Sequence, residues 1–192
     1  MTDPFEIFRT EFSPALAGEE EFFAAWLVRD RDFLPRKFPR AVAILHPGTV
    51  EVPDGEIPFL APNPHDDDLD DDQAGALDGI LLEFSDPTER CTVALYGGFM
   101  DERQSEGLIG AGLSRLEGRL VYFLGSAKLS QSLVLPLRET IDLILPVSCI
   151  WPETRDWFVA SLPDLAFTVV GCSNQIADRL LEEPLLNTSE LT

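Results

Sequence analysis

The stretch WFVASLPDLAFTVVGCSNQIADRLLEEP, residues 157–184, decides the fold class. WFVAS (157–161) and AFTVV (166–170) are short runs of β-branched and aromatic residues, the composition of strands. The connection between them, LPDL, places Pro163 and Asp164 where a hairpin turn accepts them. Ser173 then offers an N-cap oxygen, Ile176, Leu180 and Leu181 recur at helical spacing, and Pro184 ends the helix. A hairpin followed by a helix predicts an antiparallel sheet packed on helices.

Working back toward the N-terminus, further short apolar runs read as strands: AVAIL (41–45), GTVEV (48–52), GILLEF (79–84), CTVALY (91–96) and LVYFL (120–124). IDLILPV (141–147) has strand character too, although Pro136 interrupts the residues before it. DERQSEGLIGAGLSRLEG (101–118) spaces Leu108, Ile109, Leu113 and Leu116 as a helix does, with Gly107, Gly110 and Gly112 weakening it. At the start of the chain, Asp3-Pro4 and Glu6 form a helix start ahead of Phe5, Phe8 and Phe12 on one face. Ser13-Pro14 repeats that signal before EEEFFAAWLVRD, where Phe22, Phe23, Trp26 and Leu27 form one stripe. The expectation is a single α+β domain spanning 1–192, with a largely antiparallel sheet that leaves room for a parallel pair, and with helices at both termini.

The anomaly is PDGEIPFLAPNPHDDDLDDDQAGALD (53–78), which is proline-rich and then strongly acidic. Six aspartates, Asp66, Asp67, Asp68, Asp70, Asp71 and Asp72, occupy seven positions. Their mutual repulsion predicts an extended, mobile surface loop, which either dissolves the protein or attracts a basic surface. As a calcium loop the spacing fails, because Gln73 stands where the turn glycine is needed and Gly79 where a bidentate Glu is required.

Charge narrows the function classes. There are 34 acidic against 14 basic residues, a formal charge of −20, and Lys37 and Lys128 are the only lysines. Such a field repels phosphate backbones and anionic membranes and speeds encounter with a basic protein. Cys91, Cys149 and Cys172 have no metal-type spacing and sit in apolar runs, so buried, reduced thiols in a cytoplasmic protein are expected, with no metal and no cofactor. His46 and His65 are too few for a two-metal hydrolytic site, and GLIGAG (107–112) and GSAKLSQS (125–132) miss the phosphate-loop and serine-lysine spacings.

WPETRDW (151–157) brackets Arg155 and Asp156 with Trp151 and Trp157, a composition found at binding hot spots and also at the supports of a strand. Residues 151–184 resemble a segment of small, acidic, uncharacterised bacterial proteins, in which a W-P-x-x-R-x-W-x-V-A run leads to a strand, V-G-x-S and a helix ending before proline. Where that pattern has a second glycine, this chain has Cys172. Some members resemble immunity proteins that neutralise toxins, but the group implies no established activity and offers no catalytic motif to carry over; the scarcity of His and of nucleophile motifs, with the charge excess, is what favours binding over catalysis. Two other classes stand beside it: a hydrolase whose carboxylates, such as Glu83, Glu102, Asp142 and Asp156, converge from separate elements, and a self-assembling structural subunit.

Overall fold

The computed structural model describes residues 5–29, 37–49, 69–98, 100–118, 120–132, 147–162 and 165–191. Its strands are β1 (Ser13–Pro14), β2 (Arg40–Leu45), β3 (Arg90–Tyr96), β4 (Ser114–Glu117), β5 (Val121–Lys128), β6 (Val147–Pro152), β7 (Phe158–Ala160), β8 (Phe167–Cys172) and β9 (Thr188–Leu191). Helices are α1 (Glu6–Glu11), α2 (Glu19–Arg29), α3 (Asp71–Glu83), α4 (Glu102–Gly110), the short α5 (Leu129–Ser132) and α6 (Asn174–Glu182). The strands form one nine-stranded sheet in the order β1-β5-β3-β6-β7-β8-β2-β9, with β4 also paired to β5. Every pairing among the described residues is antiparallel, so the architecture is α+β without a parallel pair.

The hairpin read from sequence is present: Val159 faces Val170 and Ala160 faces Val169. Its helix follows, with Ser173 Oγ accepting from the Ile176 N–H at 3.4 Å and Ile176, Ala177 and Leu180 buried. The chain does not close on that helix, because β9 returns to pair with the far edge of β2.

Both faces of the sheet are buried, which explains why β3 and β8 read as continuous apolar runs rather than alternating ones. One face packs Val42, Val93, Ile150, Val159 and Val170 against residues of α1, α3, α4 and α6. The opposite face carries Ala43, Ala94, Leu124, Trp151 and Phe158 and meets Phe22, Phe23, Trp26 and Leu27 of α2. The aromatic stripe of α2 is therefore core, with Phe23 stacked on Trp151 at 5.3 Å between ring centroids. Each such side chain contributes about 1.5–3 kcal/mol on burial.

Three sequence expectations are corrected. GILLEF is the end of α3, not a strand: Ala74, Leu77, Ile80 and Leu81 are buried at spacings of three and four. A continuous apolar run of that length fits either element, and the tertiary face it must cover decides. Ser13-Pro14 is not a helix start but β1, the two residues pairing with Ser126 and Gly125. In the 101–118 segment the helix stops at Gly110, and Gly112, at φ +93, forms its left-handed end. There the Leu113 N–H reaches the Leu108 carbonyl (3.1 Å) and the Gly112 N–H that of Ile109 (2.9 Å), after which the chain turns into β4. Residues 50–52 of GTVEV and 141–146 of IDLILPV lie outside the described residues.

The helical glycines separate by what surrounds them. A Cβ on Gly107 would sit 2.5 Å from the Phe5 ring, whereas one on Gly79 meets nothing within 4 Å. Gly79→Ala is expected to raise stability by about 0.5–1 kcal/mol through helix propensity. Gly107→Ala is expected to lower it, because Phe5 must leave its place in the core. Thermal unfolding of the two variants reads the opposite signs directly.

Candidate functional site

The acidic run does not stay extended. Asp66, Asp67 and Asp68, with His65, lie outside the described residues, but Leu69 is buried and Asp70 is the N-cap of α3. The Asp70 carboxylate accepts from the Gln73 N–H at 2.8 Å, and the Gln73 side chain accepts from the Asp70 N–H, a complete capping box. Gln73 also donates from Nε2 to the Leu45 carbonyl at 3.0 Å, fastening the helix start to the end of β2. Asp71 and Asp72 occupy the exposed first turn, where the helix dipole favours negative charge. The expected mobile surface loop to residue 78 therefore gives way to helix from residue 71. Asp101 and Gln104 repeat the same box at α4. The sequence signal, Asp-x-x-Gln ahead of a helical stripe, is present at both places.

The two tryptophans that bracket Arg155 are separated by the sheet. Trp157 lies among the residues packed by α3 and donates from Nε1 to Ser85 Oγ at 2.8 Å. Trp151 lies on the α2 face, and its Nε1 donates to Glu19 Oε2. Both rings are fully buried, so of that trio only Arg155, 41 % exposed in its side chain, reaches the surface.

Arg155 ends the turn between β6 and β7, its N–H donating to the Pro152 carbonyl at 2.9 Å. Its φ of 60° makes it the one non-glycine at positive φ among the described residues. That conformation costs an L-residue about 1–2 kcal/mol. The guanidinium offsets the cost by donating to Glu19 Oε1 at 2.8 Å and lying 4.3 Å from the centre of the Phe22 ring. Lys37 Nζ approaches the same ring at 4.7 Å. Glu19 is itself only 3 % exposed and is thus a buried carboxylate held by an indole and a guanidinium.

Three further arginines, Arg40, Arg115 and Arg179, are paired with carboxylates. Arg40 forks onto Glu190, Nε to Oε1 at 2.6 Å and Nη2 to Oε2 at 2.9 Å, and its Nη1 donates to Asp178, so β2, β9 and α6 share one cation. The Glu190 hydrogen bond raises the Arg40 guanidinium above its ordinary range, and Arg40 in turn lowers the Glu190 carboxyl. Arg179 pairs with Glu183 at 2.9 Å and Glu83 at 3.5 Å, and Arg115 with Glu117 at 3.0 Å. Partners more than a hundred residues apart leave no local signal in sequence.

Of the carboxylates considered for a hydrolytic site, Glu83 joins Arg179, Glu102 opens α4, Asp156 is exposed beside Arg155 and Asp142 lies outside the described residues. Among the described residues no group of three His, Cys, Asp or Glu converges as a metal-ligand set. His46 is buried with Nε2 2.9 Å from Thr168 Oγ1. No described helix is long and apolar enough to cross a membrane. Comparison with protein families, curated proteins and solved structures finds no match to this chain.

All three thiols are buried. Burial pushes Cys172 up to about 12 and Cys149 well above its ordinary value. The unfolded thiols ionise near 9.0, so the stability gained by keeping them neutral is complete below that pH and lost as pH rises toward 12. A Cys172→Ala variant is expected to lose less stability between those two pH values than the parent does, as followed by denaturant midpoints. Arg155 yields a second expectation. Arg155→Ala leaves Glu19 buried with the indole alone and should cost about 1–3 kcal/mol. Glu19→Gln keeps an acceptor for Trp151 and frees a guanidinium that water can reach, so it should cost less. Chemical denaturation of the two variants ranks them.

Proposed function

We propose that the chain is a non-catalytic, intracellular protein-binding protein whose partner presents a basic surface, in the concrete form of an immunity or inhibitor protein. The disposition of charge carries this reading. Arg40, Arg115, Arg155 and Arg179 are each paired with a carboxylate of the same chain, so they add little to the outward field. Asp70, Asp71 and Asp72 are exposed, and the whole chain carries −20. A surface so biased steers a cationic partner and repels anionic ones over roughly 8–10 Å at ordinary ionic strength. Asp66, Asp67, Asp68, Asp70, Asp71 and Asp72 form the proposed lure, and Arg155 is the exposed polar contact above Trp151. Trp157, on the other face, supports the fold beneath. The proposal also takes up the resemblance of residues 151–184 to small acidic bacterial proteins, some of them of immunity type.

The test replaces the six aspartates by asparagine. Asn is as good an N-cap as Asp, so Asn at position 70 preserves the start of α3 and the variant keeps its fold. Parent and variant are immobilised and exposed to native-host extract, and the captured basic protein is then used for stopped-flow association at low and high salt. The parent should associate several-fold faster than the variant at low salt, with the difference shrinking at high salt. Equal on-rates at both salts, or no basic protein retained, would overturn the reading.

A further inference from the structure

One cationic corner of the sheet is left unmatched by the chain's own acids. Arg90 and Lys128 stand directly opposite each other where β3 begins and β5 ends. Like charges so placed, with Cβ atoms about 4.5–5.5 Å apart, destabilise an antiparallel pair. Arg40, Arg115, Arg155 and Arg179 each have a carboxylate partner, whereas Arg90 has none among the described residues and turns to neutral groups. Glu153, next across on the β6 side, donates its N–H to the Arg90 carbonyl at 2.9 Å but makes no ion pair with the guanidinium. Glu19 is taken by Trp151 and Arg155.

Donors outnumber acceptors around Arg90. Its Nη2 donates to Ser13 Oγ and to the Ser126 carbonyl at 3.1 Å, and Ser13 Oγ donates to the same carbonyl at 3.3 Å. Arg90 Nε and the Oγ of the fully buried Ser126 are enclosed without an acceptor. Nη1 makes no hydrogen bond among the described residues and is not enclosed, so the outer end of this part-buried guanidinium is open. Ser126 faces Thr92 on one side and Ser13 on the other. Residues opposite one another in antiparallel strands, or two apart along one strand, share a face, so Arg90, Lys128 and these three hydroxyls lie together. Among the described residues, no strand pairs with the outer edge of β5 beyond Ser126, which leaves the corner open beside Lys128. Donors without acceptors leave a local positive potential, which a bound anion offsets.

We propose that this corner binds a dianionic phosphate group, as inorganic phosphate or a small phosphomonoester, held by Arg90 Nη1 and Lys128. A tetrahedral oxyanion has acceptors in enough directions to bridge two cations one ladder step apart. A chain with 34 acidic residues that pairs four other arginines internally and leaves this one open takes the neutralising charge from outside. Overall charge sets the size of the ligand. The field of −20 opposes phosphate polymers and anionic lipid surfaces, which would meet the acidic surface as a whole, whereas a small anion in contact with Arg90 and Lys128 is governed by them. This inference is independent of the basic-partner reading, since it rests on two cations rather than on the acidic run.

The probe is inorganic phosphate, titrated calorimetrically into the full chain while sodium chloride holds the ionic strength constant. Saturable binding is expected, with a melting temperature that rises with phosphate and not with chloride. Arg90→Gln and Lys128→Gln should each weaken binding about ten-fold, the loss of one hydrogen bond to a charged group. Arg103→Gln, which removes an exposed arginine of α4, should leave it unchanged and so separates a local site from general charge. Should Arg90→Gln fail to fold through loss of its bonds to Ser13 and Ser126, Lys128→Gln, at an exposed position, decides alone. Phenyl phosphate distinguishes the two sources: binding tighter than that of inorganic phosphate assigns the site to an ester, and equal or weaker binding assigns it to the free ion. No saturable binding beyond the chloride control, or an affinity that Lys128→Gln leaves unchanged, would overturn the proposal.

Discussion

The structure depends on a sheet that must be dry on both sides. β3, β6 and β8 carry almost no exposed position, so helices or loops have to cover each face before any of these strands is stable. The chain meets this demand by dividing its helices: α1, α3, α4 and α6 contribute to one core and α2 to the other. These cores are also where an acid-rich sequence places its phenylalanines: of the thirteen, most of the described ones are buried. Charge is displaced to helix starts, turns and the outward faces of helices.

Carboxylates are accordingly structural parts as well as surface charge. Asp70 and Asp101 satisfy backbone donors at the start of α3 and α4. Glu19 joins α2 to the β6–β7 turn, and Asp178 with Glu190 binds the last helix and strand to β2 through Arg40. Net charge alone does not distinguish these acids from their exposed neighbours. Burial and partner geometry do.

Much of the fold was legible wherever periodicity and punctuation agreed. The 157–184 unit and the β2 and β3 runs were readable because each had a turn or cap residue at its boundary, whereas the α2 stripe was readable from its spacing alone, the start expected at Ser13-Pro14 being β1. GILLEF was misread because its six residues fit two periods and the helix start lay across a run of like charges that suggested repulsion. Asp70 shows how one local hydrogen-bond pattern, Asp with Gln three residues on, outweighs that repulsion. β1 and β9 are short strands whose pairing comes entirely from distant neighbours, which no window of sequence contains. At the candidate site, the composition of WPETRDW drew attention to Arg155, but its place in a turn and its carboxylate partner, Glu19, 136 residues away in sequence, came only from the structure. The opposite placement of Trp151 and Trp157 was in principle countable from strand alternation, had the intervening turn been fixed.

The position of β2 sets a schedule for synthesis. Residues 40–45 are made more than a hundred residues before either of their neighbours, β8 at 167–172 and β9 at 188–191. Over that interval this apolar strand has no partner on either edge, while β3 and β5 can already pair with each other. The nascent chain therefore carries an unsatisfied strand template until β8 and β9 have been made. The Arg40 clamp, which needs both Asp178 and Glu190, forms only after that.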